Sequence, residues 1–107
     1  MGWTKVVRAS ELPVGKVKPV VVDDSALVLC RVSEQEVRVV EDRCSHNDAR
    51  LAGASLDDHV IECPHHGGRF DLRTGEAVRM PAASPIETVP AQITEDGWIA
   101  VDEEELP

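Results

Sequence analysis

The chain has 107 residues, 42% of them hydrophobic; it is long enough for one small domain, too short for two, and too apolar for a disordered segment. Eleven Lys and Arg stand against 20 Asp and Glu, a formal net charge of -9, and Trp3, Phe70 and Trp98 are its aromatic residues. Such a surface repels phosphate backbones and anionic lipid and is steered toward basic patches on partners, and it lacks the basic, aromatic groove that nucleic acid requires.

In chain order, apolar and β-branched runs at 5–7, 17–22, 26–32, 36–41, 59–62, 69–72, 86–89 and 98–101 read as strands. Gly, Pro, Asp and Ser clusters separate them at the spacing of an all-β domain. Asp57-Asp58, Thr74-Gly75 and Asp96-Gly97 read as hairpin turns, the last between 92–94 and 98–99, where a tight turn demands positive φ. Helical signals are weak. Ser10-Glu11-Leu12-Pro13 can open a single turn before Pro13 and Gly15 stop it, and 49–55 is a second short candidate, broken by Gly53. Cys30 alternates with Ala26, Val28 and Val32 and reads as a buried core thiol. The acidic run 102–105 reads as a frayed, solvated tail.

No apolar stretch approaches the ~20 residues of a membrane helix, and Met1-Gly2-Trp3-Thr4-Lys5 lacks the regions of a signal peptide. Three cysteines are an odd count, which suits metal ligation in a reducing compartment better than a disulfide framework. A cytoplasmic protein with no membrane contact is expected.

Residues 42–68 hold two Cys and four His in 27 positions, and the rest of the chain holds one Cys and no His. Cys44-Ser45-His46 and Cys63-Pro64-His65-His66 give the pattern C-x-H-x16-C-x-x-H. Each short loop thus presents one soft thiolate and one imidazole. A tetrahedral zinc site can use two Cys and two His, but it ordinarily pairs Cys with Cys and His with His. A cluster of two irons uses mixed loops naturally, with both cysteines on one iron and both histidines on the other. His59 reads as strand surface and His65 as an exposed loop residue near a partner surface, while Asp48 and Arg69 stand beside the loops.

These residues resemble the Rieske proteins, and within them the Rieske-type ferredoxins. The likeness is carried by Cys44-Ser45-His46, by Cys63-Pro64-His65-His66-Gly67-Gly68-Arg69-Phe70-Asp71 and the Thr74-Gly75 turn, by 49–56, and by Pro81 and Pro85; in effect it spans the chain. The resemblance implies one Rieske domain over 1–107, with an antiparallel β-sandwich or barrel-like base and a small cluster-binding subdomain at about 42–80. It implies one [2Fe–2S] cluster per chain, held by Cys44, His46, Cys63 and His66. Gly67 and Gly68 would let backbone N–H groups approach the inorganic sulfides, and Pro81 and Pro85 would stiffen a covering loop over 80–85.

The function implied is a one-electron carrier and not an enzyme, with no small-molecule substrate. A flavin-dependent ferredoxin reductase would stand upstream, and a terminal oxygenase of the ring-hydroxylating dioxygenase type, or another redox enzyme, downstream. The alternative is the small Rieske-like subunit of an assimilatory nitrite reductase, with the same domain and a permanent partner. A self-contained oxygenase would need a second iron on two His and a carboxylate, yet His59 and His65 are all that remain, and no catalytic domain follows. No G-x-G-x-x-G is present for hydride chemistry, and a zinc-stapled interaction module would need a different ligand spacing.

Ala49 and His65 stand where the high-potential members of the family carry an extra disulfide. Gly68 and Phe70 stand where those members have a Ser and a Tyr donating hydrogen bonds near the cluster. Fewer donors and an acidic surface imply a potential at the low end of the Rieske range, on the order of −150 mV.

Overall fold

The computed structural model describes residues 2–43, 50–51, 53–64, 67–80 and 84–107. Its strands are β1 (Trp3–Arg8), β2 (Val17–Val22), β3 (Ser25–Arg31), β4 (Val37–Glu41), β5 (Ser55–Asp57), β6 (Val60–Glu62), β7 (Arg69–Asp71), β8 (Ala77–Arg79), β9 (Thr88–Val89), β10 (Ala91–Ile93) and β11 (Trp98–Asp102). They form three antiparallel sheets in the orders β1-β11-β10, β2-β3-β4-β9 and β5-β6-β7-β8. The all-β expectation holds.

The apolar run of β3 explains how the sheets stack. A strand covered on both faces reads as a nearly continuous apolar stretch, and Leu27 to Cys30 are all fully buried. On one face Leu27 and Leu29 join Val37, Val39, Ile99 and Val101 in the core between the first two sheets. On the other, Val28 and Cys30 join Val40, Ile61, Cys63, Phe70 and Leu72 in the core beneath the β5–β8 sheet. The middle sheet is therefore a wall between two cores, and each large apolar side chain buried in either contributes roughly 1.5–3 kcal/mol.

Turn chemistry fixes the strand ends. Asp23 and Asp24, at φ 47 and 67, make the tight β2–β3 turn that two successive left-handed residues allow. Gly75, at φ +81, is required on a second count: a Cβ there would lie 2.1 Å from the Ile86 carbonyl oxygen. The Ile86 N–H donates to the Gly75 carbonyl at 2.8 Å, so this turn is pressed directly onto the returning segment.

The expected single turn near Ser10 is a 3-10 turn over Ala9–Glu11. Arg31, buried at the end of β3, organises the carbonyls around it. Its Nη1 donates to Ala9 (2.8 Å) and Leu12 (3.2 Å), its Nε to Ser33 (2.8 Å) and its Nη2 to Glu34 (2.8 Å).

Two expectations are corrected. In 49–55, Ala49 and Ala52 lie outside the described residues, and the rest is no helix: the Ala54 N–H donates to the Leu51 carbonyl (2.9 Å), Gly53 turns at φ +85, and Ser55 opens β5. The acidic tail is not frayed at its start. Asp102 is buried and caps a 3-10 turn over Glu103–Glu105 by accepting from the Glu104 N–H (3.1 Å). The Glu103 N–H donates to the Gly2 carbonyl (2.8 Å), and Leu106 packs on the core. Among the described residues no helix is long and apolar enough to cross a membrane.

Candidate metal centre

The second ligand loop joins β6 to β7. Glu62, last in β6, faces Arg69, first in β7, so residues 63–68 connect neighbouring strand ends. The Cys63 N–H donates to the Gly68 carbonyl at 2.7 Å, and the Gly67 N–H donates to the Cys63 carbonyl at 3.1 Å. The loop thus closes on its own backbone. Gly67 sits at φ +74, where a side chain would be strained, and among the described residues a Cβ built there would meet nothing within 4 Å. The glycine serves the backbone path of the loop. Cys63 is buried and free of any disulfide, in one core with Leu51, Phe70 and Ile86.

Cys44 and His46 lie outside the described residues, as do Asp48 and Ala49, but both feet of their loop are described. Asp42 gathers them: its Oδ1 accepts from the Leu51 N–H (2.6 Å), and its Oδ2 accepts from Arg50 Nε (2.6 Å) and Nη2 (2.5 Å). Charge-assisted bonds to a buried carboxylate are among the stronger polar contacts available. At the other foot, Arg43 Nε donates to Glu41 Oε1 (3.1 Å), while Glu41 Oε2 accepts from the Glu87 N–H (2.5 Å).

His65, His66 and Pro81 also lie outside the described residues. Of the residues assigned to the centre, Cys63, Gly67 and Gly68 are therefore the described ones, and among the described residues no three metal-binding side chains gather. The flanking positions still converge. Leu51 follows the first loop, Cys63 begins the second, Ile86 follows the segment holding Pro81, and all three share one apolar core. A free buried thiol in that core, a self-closed loop and a glycine in the left-handed region fit a thiolate-ligated metal group.

Cys30 behaves as expected of a core thiol: its Sγ lies 3.9 Å from the Val28 carbonyl oxygen, and burial pushes its pKa up to about 12. Arg69, expected to make polar contacts beside the loops, donates from Nε to Glu62 Oε1 at 2.8 Å.

His59 differs from expectation. It is no simple strand-surface residue but lies in the β5–β6 turn, its ring mostly covered. Nε2 is 3.0 Å from Glu36 Oε2 and Nδ1 is 3.2 Å from Asp58 Oδ2. Two carboxylate acceptors, Glu36 foremost and then Asp58, hold its pKa above the usual imidazole value. Glu36 immediately precedes β4 and also accepts from Arg38 Nε (2.7 Å), which, with His59, keeps its carboxyl below the usual range. The His59 ring thus fastens the β5–β8 sheet to the middle sheet. The partners are 23 residues apart in sequence, and no local pattern announces such a pair. Arg31 and Asp42 escaped the sequence reading for the same reason.

A groove of about 690 Å³ lies along β4, β9 and β10, away from the ligand loops. Its charged lining is occupied by the Arg38–Glu36 pair and by Arg73, which pairs with Asp71 at 3.1 Å.

Comparison with known proteins agrees with this arrangement. The family model described as the Rieske [2Fe-2S] domain matches residues 2–90. The chain is 38% identical over 91 residues to the ferredoxin component of a naphthalene 1,2-dioxygenase system from Pseudomonas aeruginosa, covering 85% of this chain and 86% of that protein. It superimposes with a TM-score of 0.86 and 34% identity on a chain from the complex of reduced oxygenase and oxidized ferredoxin in carbazole 1,9a-dioxygenase, covering 98% of this chain and 96% of the other. A putative NADH-dependent nitrite reductase small subunit from Mycobacterium tuberculosis shares the fold, with a TM-score of 0.83 at 24% identity over 94% of this chain and 93% of that one. With the family model spanning most of its length and the loop, core and topology in agreement, the chain belongs to the Rieske [2Fe-2S] domain family.

Proposed function

We propose that the chain is a one-electron carrier holding a single [2Fe–2S] cluster on Cys44, His46, Cys63 and His66, within a subdomain of about 42–80. The observation that carries this reading is the convergence of Leu51, Cys63 and Ile86 on one core beneath the segments that contain the ligands and Pro81. Such a cluster, when bound, supplies a reversible one-electron couple. The chain's own residues position it. Cys63 offers a thiolate from a loop closed by Gly67 and Gly68, and Asp42 draws together the feet of the loop bearing Cys44 and His46. Pro81 stands in the segment between Met80 and Ile86, where it would stiffen a cover.

The likeness to a dioxygenase-system ferredoxin component supports a ferredoxin reductase, flavin-dependent as the family resemblance implies, as electron donor and a terminal oxygenase as acceptor. A permanent place in a nitrite reductase has weaker support, since that likeness reaches the fold alone. The free thiols of Cys30 and Cys63 support a reducing, cytoplasmic setting. Phe70 is fully buried in the core with Cys63 and carries no hydroxyl, which supports a potential toward −150 mV, the low end of the Rieske range.

The test is low-temperature EPR of the anaerobic, dithionite-reduced protein, with iron, acid-labile sulfide and zinc assayed on the same sample. A rhombic signal with average g below the free-electron value, at two irons and two sulfides per chain, is expected. One zinc per chain without sulfide overturns the reading. Film voltammetry then tests the potential, and a value above about +100 mV overturns the low-potential assignment.

A further inference from the structure

We propose that Arg50, Arg69 and Arg79 form a cationic rim at the loop end of the β5–β8 sheet, and that this rim receives a protein partner through a carboxylate-lined docking face. The inference rests on the electron-carrier reading, because that end of the sheet is where the electron would leave. Its sign is opposite to what the net charge of -9 implies for the molecule as a whole.

The rim follows from strand register. β6 runs into Cys63, β7 starts after Gly68 and β8 ends at Arg79, so these ends lie side by side, with Arg69 opposite both Glu62 and Arg79. Arg69 Nε is 2.8 Å and Arg79 Nη1 4.0 Å from the same Glu62 Oε1. Two guanidinium groups share one carboxylate, which leaves a surplus positive charge. Arg50, next to Leu51 in the core that also holds Cys63, brings a further guanidinium from the foot of the first loop. Its side chain is 62% exposed, whereas that of its partner Asp42 is 0% exposed. Arg79 is likewise more open than Glu62, at 59% against 35%. The outermost charge dominates what an approaching group meets, because it is the nearer of the pair.

The opposite end of the same sheet is acidic on balance, with Asp57, Asp58 and Glu76 exposed at its turns and one exposed arginine, Arg73, paired with Asp71. Asp48, within the first loop, lies outside the described residues. The resulting polarity orients an encounter. A partner's carboxylates would attract the rim and repel the acidic body, turning the ligand loops toward the partner. Beside Arg79, Met80 and Val78 are large exposed apolar side chains, and apolar anchors ringed by arginine suit a protein interface. An extended polyanion would run onto the acidic body, so a local patch of protein carboxylates fits better than nucleic acid.

The experiment is stopped-flow oxidation of the reduced, iron-loaded protein by ferricyanide and, separately, by hexaamminecobalt(III), across a range of ionic strength. Attraction at the rim makes the ferricyanide rate fall several-fold as salt rises, while the cobalt rate rises. Arg79→Glu should flatten or reverse both slopes, and Lys16→Gln, on the base, should leave them unchanged. A ferricyanide rate that rises with salt overturns the proposal, as does a falling rate indifferent to Arg79→Glu. A readout independent of the cluster is the NMR shift of the Arg50, Arg69 and Arg79 Nε–H signals on adding hexaglutamate at low salt, and unmoved signals overturn it too. Retention on heparin at the same ionic strength would point to an extended polyanion and overturn the choice of a protein face. Missing iron and sulfide would instead remove the electron-carrier reading, so the two failures are distinguishable.

Discussion

The base and the β5–β8 sheet are built on different principles. Base strands such as β3 and β11 run for seven and five residues and are buried along most of their length. The strands of the β5–β8 sheet have three residues each. That sheet buries few large side chains, chiefly Ile61 and Phe70, and is held in addition by a pressed glycine turn, a buried carboxylate under one loop and the His59 strap. Burial makes the base stable, whereas directional contacts at both ends of the short-stranded sheet hold it in place. A bound metal group would then supply much of the stability that short strands cannot.

The two cysteines offer the sharpest way to break that contrast. Cys63→Ala should abolish visible absorbance and lower the thermal midpoint by roughly 10 °C or more, since 1 kcal/mol shifts a domain of this size by about 4–8 °C. Cys30→Ala, in the same core but outside the ligand set, should keep full absorbance and cost about 1–2 kcal/mol as a small cavity. Equal absorbance loss in both would erase the distinction; absorbance and calorimetry read it directly.

Gly75→Ala comes next. The left-handed conformation and the approach to the Ile86 carbonyl together should cost roughly 3 kcal/mol or more in denaturant unfolding. A variant of wild-type stability would show that the turn is not pressed on its neighbour.

A smaller effect is expected of Asp42→Asn, at about 2–3 kcal/mol, because the Leu51 N–H and the Arg50 guanidinium would face an amide instead of the buried carboxylate. Hydrogen exchange should localise the damage, with the Leu51 amide losing protection before those of β3.

The smallest effect is the one that depends on pH. His59 has a folded pKa raised above 6.5 by Glu36 and Asp58. Its contribution is therefore complete below the unfolded value and lost as pH rises through the folded one. The stability difference between wild type and His59→Gln should shrink as pH climbs past the ordinary imidazole value and through the raised folded one. A difference constant over that window would remove the charged strap.

What could be read in the sequence was what repeats locally. The apolar run of β3, the Thr74-Gly75 and Asp96-Gly97 turns and the paired ligand motif each lie within a few residues, and the resemblance they carried led to the right family. β5 and β8 were missed because Ser55-Leu56-Asp57 and Ala77-Val78-Arg79 each offer a single large apolar residue, whereas β6 carries Val60-Ile61 and β7 carries Phe70, with Leu72 just beyond it. Ser55 was absorbed into a supposed helix that Gly53 prevents. Arg31, Asp42 and His59 depend on carbonyls, amides or carboxylates that only the folded chain brings near, and the acidic tail looked free because its contact with Gly2 spans the whole sequence.

β3, with a core on each side, also governs how the molecule comes apart. A strand whose two faces belong to different cores cannot leave one without opening the other. The base and the ligand-bearing sheet should therefore melt as one cooperative unit, sharing a single global opening free energy in native-state hydrogen exchange. Disturbance at Leu29, on the far face, would reach Cys63 through the thickness of one strand.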